Sequence, residues 1–146
     1  MGAGLPRGVV MNRPGSNLGM RHVALYVRDL PACERFYVSL LGMQVEWRPD
    51  PANVYLSSGP DNLALHQAAP GERDESQQRL DHIGFFLATK AAVDEWFAFL
   101  QAEGVQMRTE PRTHRDGARS FYCYDPDGMV VQIIYHPPVA EWERRR

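Results

Sequence analysis

The sequence predicts an α+β fold of two βαβββ modules, whose curved mixed sheets enclose a cleft. An internal repeat is the main observation behind this prediction, because self-similarity fixes an architecture before any motif is considered. Residues 22–27 read His-Val-Ala-Leu-Tyr-Val, and residues 82–87, displaced by 60 positions, read His-Ile-Gly-Phe-Phe-Leu. In both copies a helical stretch follows and ends at a glycine, Gly42 or Gly104.

The first copy begins with a half-buried strand, because aliphatic side chains alternate with other types over residues 23–27. Asp29 is then a candidate N-cap, with Pro31 just inside the following helix. The helix keeps apolar residues at helical spacing until Gly42, a suitable C-terminal residue. Short strands and a polar linker are expected next, at residues 43–48, 53–58, 62–67 and 67–79.

The second copy repeats this order, with a strand at 81–88 and a helix capped by Thr89. The last two of its three further strands are joined by Asp125-Pro126-Asp127-Gly128. Proline suits the fixed φ of a turn and glycine its positive φ, and the rest of a calcium loop is missing, so we interpret this motif as a hairpin turn. The three strands are expected at 105–109, 118–124 and 129–136.

The two faces of the predicted sheets differ in kind. Aliphatic side chains alternate onto one face, which should pack under the helices. Polar and aromatic side chains share the other face with a few small and aliphatic ones: His22, Ala24, Tyr26, Asn53, Tyr55, Ser57, Ala64, His66, His82, Gly84, Phe86, Val130, Gln132, Ile134 and His136. A face of this composition is either solvated or curved around a ligand cavity.

Composition and charge are ordinary for one compact domain. The 146 residues are 44% hydrophobic and 23% charged, with a net charge of −2. This charge gives no excess of basic residues that would bind nucleic acid. No apolar segment of the sequence is long enough to span a membrane. Two distant cysteines argue against a disulfide scaffold and fit a reducing cytoplasm. We expect a flexible N-terminal tail at residues 1–19 and a charged C-terminal tail at 139–146. Between them, residues 20–138 should form one domain, with modules at about 20–68 and 80–138.

Four side chains at repeat-related positions suggest a metal site. His22 and His82 begin equivalent strands, and His66 and Gln132 lie in the fourth strand of each copy. Imidazole nitrogens suit Zn, Ni, Fe and Mn, and an amide oxygen adds a weaker, neutral ligand. Such a set leaves positions open for water or substrate, as a catalytic site requires. For any one strand histidine, the alternative is a hydrogen-bonded polar residue without a metal.

Three segments, at residues 22–42, 81–85 and 120–128, resemble the vicinal-oxygen-chelate superfamily. Its members include glyoxalase I, extradiol dioxygenases and bleomycin-resistance proteins, and the resemblance covers about Met20 to Pro138. It implies metal ligands in the first, fourth, fifth and eighth strands, or in the first, fifth and eighth only. Carried over to this chain, the implied ligands are His22, His66, His82 and Gln132.

The sequence departs from this family at the last ligand. The family usually has glutamate four residues after the turn glycine, where this chain has Gln132. The loss of a negative charge should weaken the hold on a divalent cation. It also removes the base of glyoxalase-type proton transfer, and it leaves a 2-His-1-carboxylate iron site incomplete. His66 could compensate as a third nitrogen ligand.

Other side chains near the predicted cleft are weaker candidates. His114 lies in the loop before the seventh strand and could shuttle protons, although an exposed loop histidine is the simpler interpretation. Tyr122 is a second candidate for catalysis, and Arg119 could hold an anionic or phenolic substrate. Aromatic residues could line a pocket for substrate or simply pack in the core: Tyr55, Phe86 and Tyr124.

The sequence leaves two functions open. The first is a metal-dependent enzyme of this superfamily, of the dioxygenase or the lyase/isomerase type, acting on a small substrate with neighbouring oxygens and using Fe, Mn, Ni or Zn. The second is a non-catalytic protein that sequesters a drug or metabolite, which Gln132 favours. In both cases we expect a small-molecule ligand, a homodimer that covers open sheet edges, a cytoplasmic location, and no nucleic-acid or membrane partner.

Overall fold

The structure is a computed structural model that describes residues 20–71, 80 and 82–146; the predicted tail at 1–19 and most of the predicted linker lie outside these residues. The helix α1 (Leu30–Glu34) runs directly into a π-helical segment (Arg35–Leu40). The other elements are β1 (His22–Val27), β2 (Gln44–Asp50), β3 (Asn53–Ser57), β4 (Asn62–Gln67), β5 (Ile83–Leu87), α2 (Lys90–Ala102), β6 (Arg112–Thr113), β7 (Arg119–Tyr124), β8 (Val130–Tyr135) and α3 (Pro137–Arg144).

Each module forms a four-stranded mixed sheet, and the two sheets have the same topology. Their strand orders are β1-β4-β3-β2 and β5-β8-β7-β6. The first strand of each module pairs in parallel with the last, and the remaining pairs are antiparallel. The predicted α+β fold of two βαβββ modules is therefore confirmed.

The helix boundaries follow the capping residues that the sequence contains. The side chain of Asp29 accepts a hydrogen bond from the backbone N of Ala32 at 3.0 Å, and Thr89 caps α2 in the same way at 3.2 Å. Both N-caps satisfy a helix-terminal N–H group that has no partner within the helix. Gly42 and Gly104 follow the two helices with φ of 86° and 84°, a conformation that glycine adopts without steric cost.

The sheets have two different faces, as the alternation predicts. In β3, Val54 and Leu56 are fully buried, whereas Asn53, Tyr55 and Ser57 are half-buried. The buried side chains form one core that both modules share with the helices. We call the opposite side of each sheet, away from the helices, its open face.

Aromatic side chains of the helices pack against aromatic side chains of the sheet in the shared core. Tyr37, in the π-helical segment of the first module, stacks on Phe85 of β5 with ring centroids 6.2 Å apart. Phe97 of α2 meets Phe121 of β7 edge-on at 5.3 Å. The first contact joins the two modules directly.

The turn at 125–128 is a hairpin turn, as predicted, and it also connects the modules. Gly128 has φ of 88°, and Oδ1 of Asp125 accepts the backbone N–H groups of Asp127 and Met129. Asp125 is only 4% exposed, and its Oδ2 accepts the hydroxyl of Tyr37 at 2.9 Å. Burial raises the pKa of Asp125, against the opposing effect of these hydrogen bonds.

The predicted strand at 105–109 is wrong. The structure has a single bridge between Met107 and Cys123 and then the two-residue strand β6. The backbone N–H groups of Arg108 and Thr109 both donate to the carbonyl of Tyr122, at 2.8 and 3.1 Å. Two consecutive donors on one carbonyl are the mark of a bulge, which interrupts the ladder.

Most of the predicted charged tail at 139–146 is helical, because it belongs to α3, which begins at Pro137; residues 141–146 are exposed. Proline is compatible with the first turn of a helix, where N–H groups have no intrahelical partner. Ala140 is buried, so the helix is docked on the domain. In the described ranges, no helix has the length and apolar character needed to span a membrane.

Candidate functional site

A cavity of about 500 Å³ lies between the first strands of the two modules. Three of the predicted metal ligands line it, namely His22, His82 and Gln132. Most of the other lining side chains are apolar, among them Val23, Met43, Leu63, Ile83, Phe85, Phe86 and Ile134. A concave, largely apolar site with a few polar groups has the size and character of a small-molecule site.

The ring of His22 is oriented by a chain of hydrogen bonds on the open face. Nδ1 of His22 lies 2.7 Å from Oδ1 of Asn62, its neighbour in the β1–β4 pairing. The amide nitrogen of Asn62 donates to Glu46 at 2.9 Å, which fixes the amide so that its oxygen faces the ring. An amide oxygen only accepts, so Nδ1 of His22 carries the proton and Nε2 keeps the lone pair that a metal ion would need.

His82 lies just before β5, and its ring meets the ring of Tyr122 edge-on at 5.4 Å. Tyr122 pairs with Gln132 across the β7–β8 ladder. The imidazole of His82, the phenol of Tyr122 and the amide of Gln132 therefore come from adjacent strands and share one open face. The repeat predicted His82 and Gln132 on this face, and the structure places Tyr122 beside them.

The side chain of Gln132 is hydrogen-bonded to the buried hydroxyl of Ser120. Its Nε2 donates to Oγ of Ser120 at 3.2 Å, and Nε2 of His114 lies 3.1 Å from the same oxygen. Ser120 is 2% exposed although it faces the open side of β7. His114 is thus hydrogen-bonded to Ser120, which stands between it and the cavity-lining amide.

His66 does not join the other three, and its assignment as a fourth ligand is not supported. In the parallel β1–β4 pairing, His22 lies opposite Asn62 and His66 lies opposite Tyr26. Four residues along a strand amount to roughly 13 Å, which is too far for one ion. Nδ1 of His66 instead contacts Oδ1 of Asn53 at 2.6 Å.

The register also identifies the true counterpart of Gln132. Gln132 pairs with Gly84, two residues after His82, and Ala64 pairs with Ala24, two residues after His22. Ala64 therefore occupies the related position in the first module, and a methyl group cannot coordinate a metal. The donor set that remains is two imidazoles and one amide oxygen. Over the described ranges, no cluster of three or more His, Cys, Asp or Glu side chains suitable for a metal occurs.

Arg119 is not placed to contact a ligand in this cavity. It projects to the helix side of β7, where Nε and NH2 donate to both carboxylate oxygens of Asp94 at 2.9 and 2.7 Å. Its NH1 donates to Thr113 at 3.0 Å. The guanidinium group therefore links β7 to α2, and its predicted role in substrate binding is not supported.

The aromatic candidates divide between the cavity and its surroundings. Phe86 lines the cavity and is 57% exposed. Tyr55 lies further along the first sheet, stacked on Trp47 at 5.1 Å and edge-on to His66 at 5.9 Å. Tyr124 is half-buried in β7, opposite Val130. Phe86 therefore lines the cavity, whereas Tyr55 and Tyr124 are not among its lining residues.

Sequence reasoning overlooked Asn62 and Ser120, although both carry part of the site. The period-two alternation offers the signal: Asn62 shares a face with Ala64, and Ser120 shares one with Tyr122. Their partners lie in other strands, and only the register of the ladders brings these groups together.

Comparison with known proteins agrees with the topology. Residues 19–133 match the family described as the Glyoxalase/Bleomycin resistance protein/Dioxygenase superfamily. An uncharacterised protein from Pseudomonas aeruginosa is 31% identical over 132 residues, which are 83% of this chain and 91% of that protein. A biphenyl-2,3-diol 1,2-dioxygenase from Rhodococcus globerulus is 28% identical over 119 residues, 78% of this chain and 61% of the enzyme.

Solved structures agree on the fold. A lactoylglutathione lyase from Agrobacterium tumefaciens superposes with a TM-score of 0.67 at 24% identity, over 84% of this chain and 96% of that one. At this identity the likeness concerns the fold and not the reaction. The duplicated topology, the cavity between the modules and the match over residues 19–133 lead to one conclusion: the chain belongs to the glyoxalase/bleomycin resistance protein/dioxygenase superfamily.

Proposed function

We propose that the protein is a metal-dependent enzyme that acts on a small substrate with two neighbouring oxygens. The observation that carries the proposal is the meeting of His22, His82 and Gln132 in one cavity, with Nε2 of His22 available through the hydrogen bond of Nδ1 to Asn62. Two imidazoles and one amide oxygen fit a divalent ion such as Fe, Mn, Ni or Zn and leave positions for a chelating substrate. A bound ion would supply Lewis-acid chemistry to that substrate.

The residues around these ligands define what the chain itself contributes. Phe86 and the apolar wall bury the body of a substrate and exclude water from it. The amide of Gln132 is not a general base at neutral pH, so it cannot replace the carboxylate base of glyoxalase-type chemistry. We assign proton transfer to the hydroxyl of Tyr122, whose ring contacts that of His82. The reaction is of the dioxygenase type or of the lyase/isomerase type.

A matched set of histidine variants tests the metal site. His22→Ala and His82→Ala should each abolish tight binding of Mn²⁺ or Zn²⁺, measured by elemental analysis and by calorimetric titration. His66→Ala is the control, because it removes the same group from the same sheet about 13 Å away. Gln132→Glu should tighten binding through its added charge. Equal metal content in all four variants and the parent would refute the assignment.

Sequestration of a small molecule is a second candidate function, and the placement of Ala64 favours it. With alanine in the position related to Gln132, the cavity offers a metal a neutral and incomplete ligand set. The apolar wall alone can bind a drug-sized molecule. Metal content separates the two functions: a parent protein that takes up no metal, and whose melting temperature no divalent ion raises, would be a binding protein.

We also propose that the chain forms a homodimer. Tyr26 and Trp47 project from the open face of the first sheet and are 55% and 58% exposed. Large aromatic side chains so exposed are typical of surfaces that a partner covers. Sedimentation at micromolar concentration should give twice the chain mass, and Trp47→Glu should return the protein to the monomer.

A further inference from the structure

A bulge in the edge strand β2 brings Glu46 to the open face of the first sheet. In the pairing of β2 with β3 the register shifts between Val45 and Trp47, so that Glu46 is an additional residue there. Bulges re-aim side chains and are frequent next to active sites. The Glu46 carboxylate lines a polar pocket that shares His22 and Asn62 with the cavity.

The chemistry of Glu46, Asn62 and His22 allows one arrangement of their hydrogen bonds. An ionised carboxylate has acceptors and no donor, so the amide nitrogen of Asn62 faces Glu46, at 2.9 Å. The amide oxygen then faces Nδ1 of His22 at 2.7 Å, and this ring nitrogen must be the donor. The reversed amide would place its oxygen against a carboxylate oxygen with no proton between them. The charge of Glu46 therefore decides which nitrogen of His22 carries the proton.

Neighbouring side chains do not compete for this carboxylate. Within the described residues, the side chain of Glu46 has Asn62 as its one hydrogen-bond partner. The hydroxyl of Ser57, which lines the same pocket, donates to the carbonyl of Asp61 at 2.9 Å. Arg21 also lines the pocket, and in the described part of the chain no ion pair joins it to Glu46.

A second chain of the same kind provides a comparison on the same sheet. The amide nitrogen of Asn53 donates to both carboxylate oxygens of Asp50, at 2.9 and 3.0 Å. The amide oxygen of Asn53 lies 2.6 Å from Nδ1 of His66, which must therefore be protonated as well. His66 is four residues after Asn62 in β4, roughly 13 Å along the strand, and does not line the cavity.

We propose that Glu46 is a positioning residue that acts through Asn62, keeping the proton of His22 on Nδ1 and Nε2 free for the metal ion. This inference rests on the proposed function. Partners of this kind fix the tautomer and orientation of an imidazole ligand and raise its basicity. Because Gln132 is a neutral ligand, the affinity of the site depends on the imidazoles, and hence on the group that orients His22.

The first test requires no metal. In the ¹⁵N-labelled, metal-free protein, long-range ¹H–¹⁵N correlation spectra report which ring nitrogen is protonated, and His22→Ala and His66→Ala assign the signals. At a pH where the imidazoles are neutral, both rings should be protonated on Nδ1 in the parent. Glu46→Leu should convert His22 to a mixture of tautomers and leave His66 unchanged, and Asp50→Ala should do the reverse. Glu46→Gln should lie between parent and Glu46→Leu, because an amide can accept or donate.

The second test is the Mn²⁺ affinity of the same variants. Glu46→Leu should weaken Mn²⁺ binding about tenfold, the usual scale for loss of a group that orients a ligand. Asp50→Ala is the matched control, since it removes the same charge from the chain that ends at His66. Its effect should stay below about twofold, because salt screens a charge at that distance. Backbone amide spectra confirm that each variant is folded.

The outcomes separate this inference from the proposed function. An Nε2-protonated His22 in the parent, or an unchanged His22 tautomer in Glu46→Leu, would overturn the positioning role and leave the metal site itself standing. Equal weakening of Mn²⁺ binding by Glu46→Leu and Asp50→Ala would also overturn that role. Absence of Mn²⁺ binding in the parent would overturn the proposed function, and the role of Glu46 in metal binding with it. A changed tautomer together with a loss of affinity confined to Glu46→Leu supports both.

Discussion

Removal of the Tyr37 hydroxyl tests how strongly one buried hydrogen bond joins the modules. Tyr37→Phe deletes the donor to Oδ2 of Asp125, a contact of 2.9 Å between residues that are almost fully enclosed. Hydrogen bonds to charged groups contribute about 1.5–3 kcal/mol. Two backbone N–H groups still donate to Oδ1 of Asp125, so the carboxylate keeps part of its compensation. We therefore expect a loss of about 2 kcal/mol.

The assay is equilibrium unfolding in urea, with the slope of the transition compared between variants. A loss of this size should lower the melting temperature by roughly 4–8 °C in a chain of this length. Tyr124→Phe is the control, because it deletes the same hydroxyl from a half-buried ring in β7. The loss of unfolding free energy in Tyr37→Phe should also be smaller at low pH, because a protonated Asp125 carries no charge for the hydroxyl to stabilise. A penalty within about 0.5 kcal/mol of the control, the usual range for surface substitutions, would refute the reasoning.

Three further predictions concern charge and exposure. Burial raises the pKa of Asp125, so the folded state favours the protonated carboxyl. The resulting stabilisation is present below the ordinary aspartate pKa and is lost as pH rises through the pKa of the folded state. The melting temperature of Asp125→Asn should lack this decline with pH. Burial raises the pKa of Cys33 and of Cys123 to about 12, so neither thiol should react with a disulfide reagent until the protein unfolds. Arg119→Ala should loosen the contact of β7 with α2, detected by hydrogen exchange, without changing ligand or metal affinity; weaker affinity would contradict its placement.

The fold could be predicted from the sequence because its signals are local. The strand alternation, the N-caps at Asp29 and Thr89, and the glycines that end both helices are all properties of neighbouring residues. They determine where each element begins and which face of it is buried. The repeat then supplies the topology, since two copies of one pattern form two similar sheets.

The site could be predicted only in part, because it depends on the register between strands. Nothing local to His66 shows that it pairs with Tyr26 and not with His22; that depends on the lengths of the intervening turns. For the same reason Ala64, and not His66, proved to be the counterpart of Gln132. The pairing of Arg119 with Asp94 was likewise not foreseen, because it arises from the packing of α2, which the local pattern does not specify.

The unequal pairs Ala24–Ala64 and Gly84–Gln132 break the two-fold relation between the modules. A perfect two-fold axis would allow a small ligand to enter in two equivalent orientations, related by a half-turn. Here a methyl group occupies one of the related positions and an amide the other, so a half-turn exchanges an apolar contact for a polar one. The two orientations of a molecule with unlike ends on this surface therefore differ in free energy.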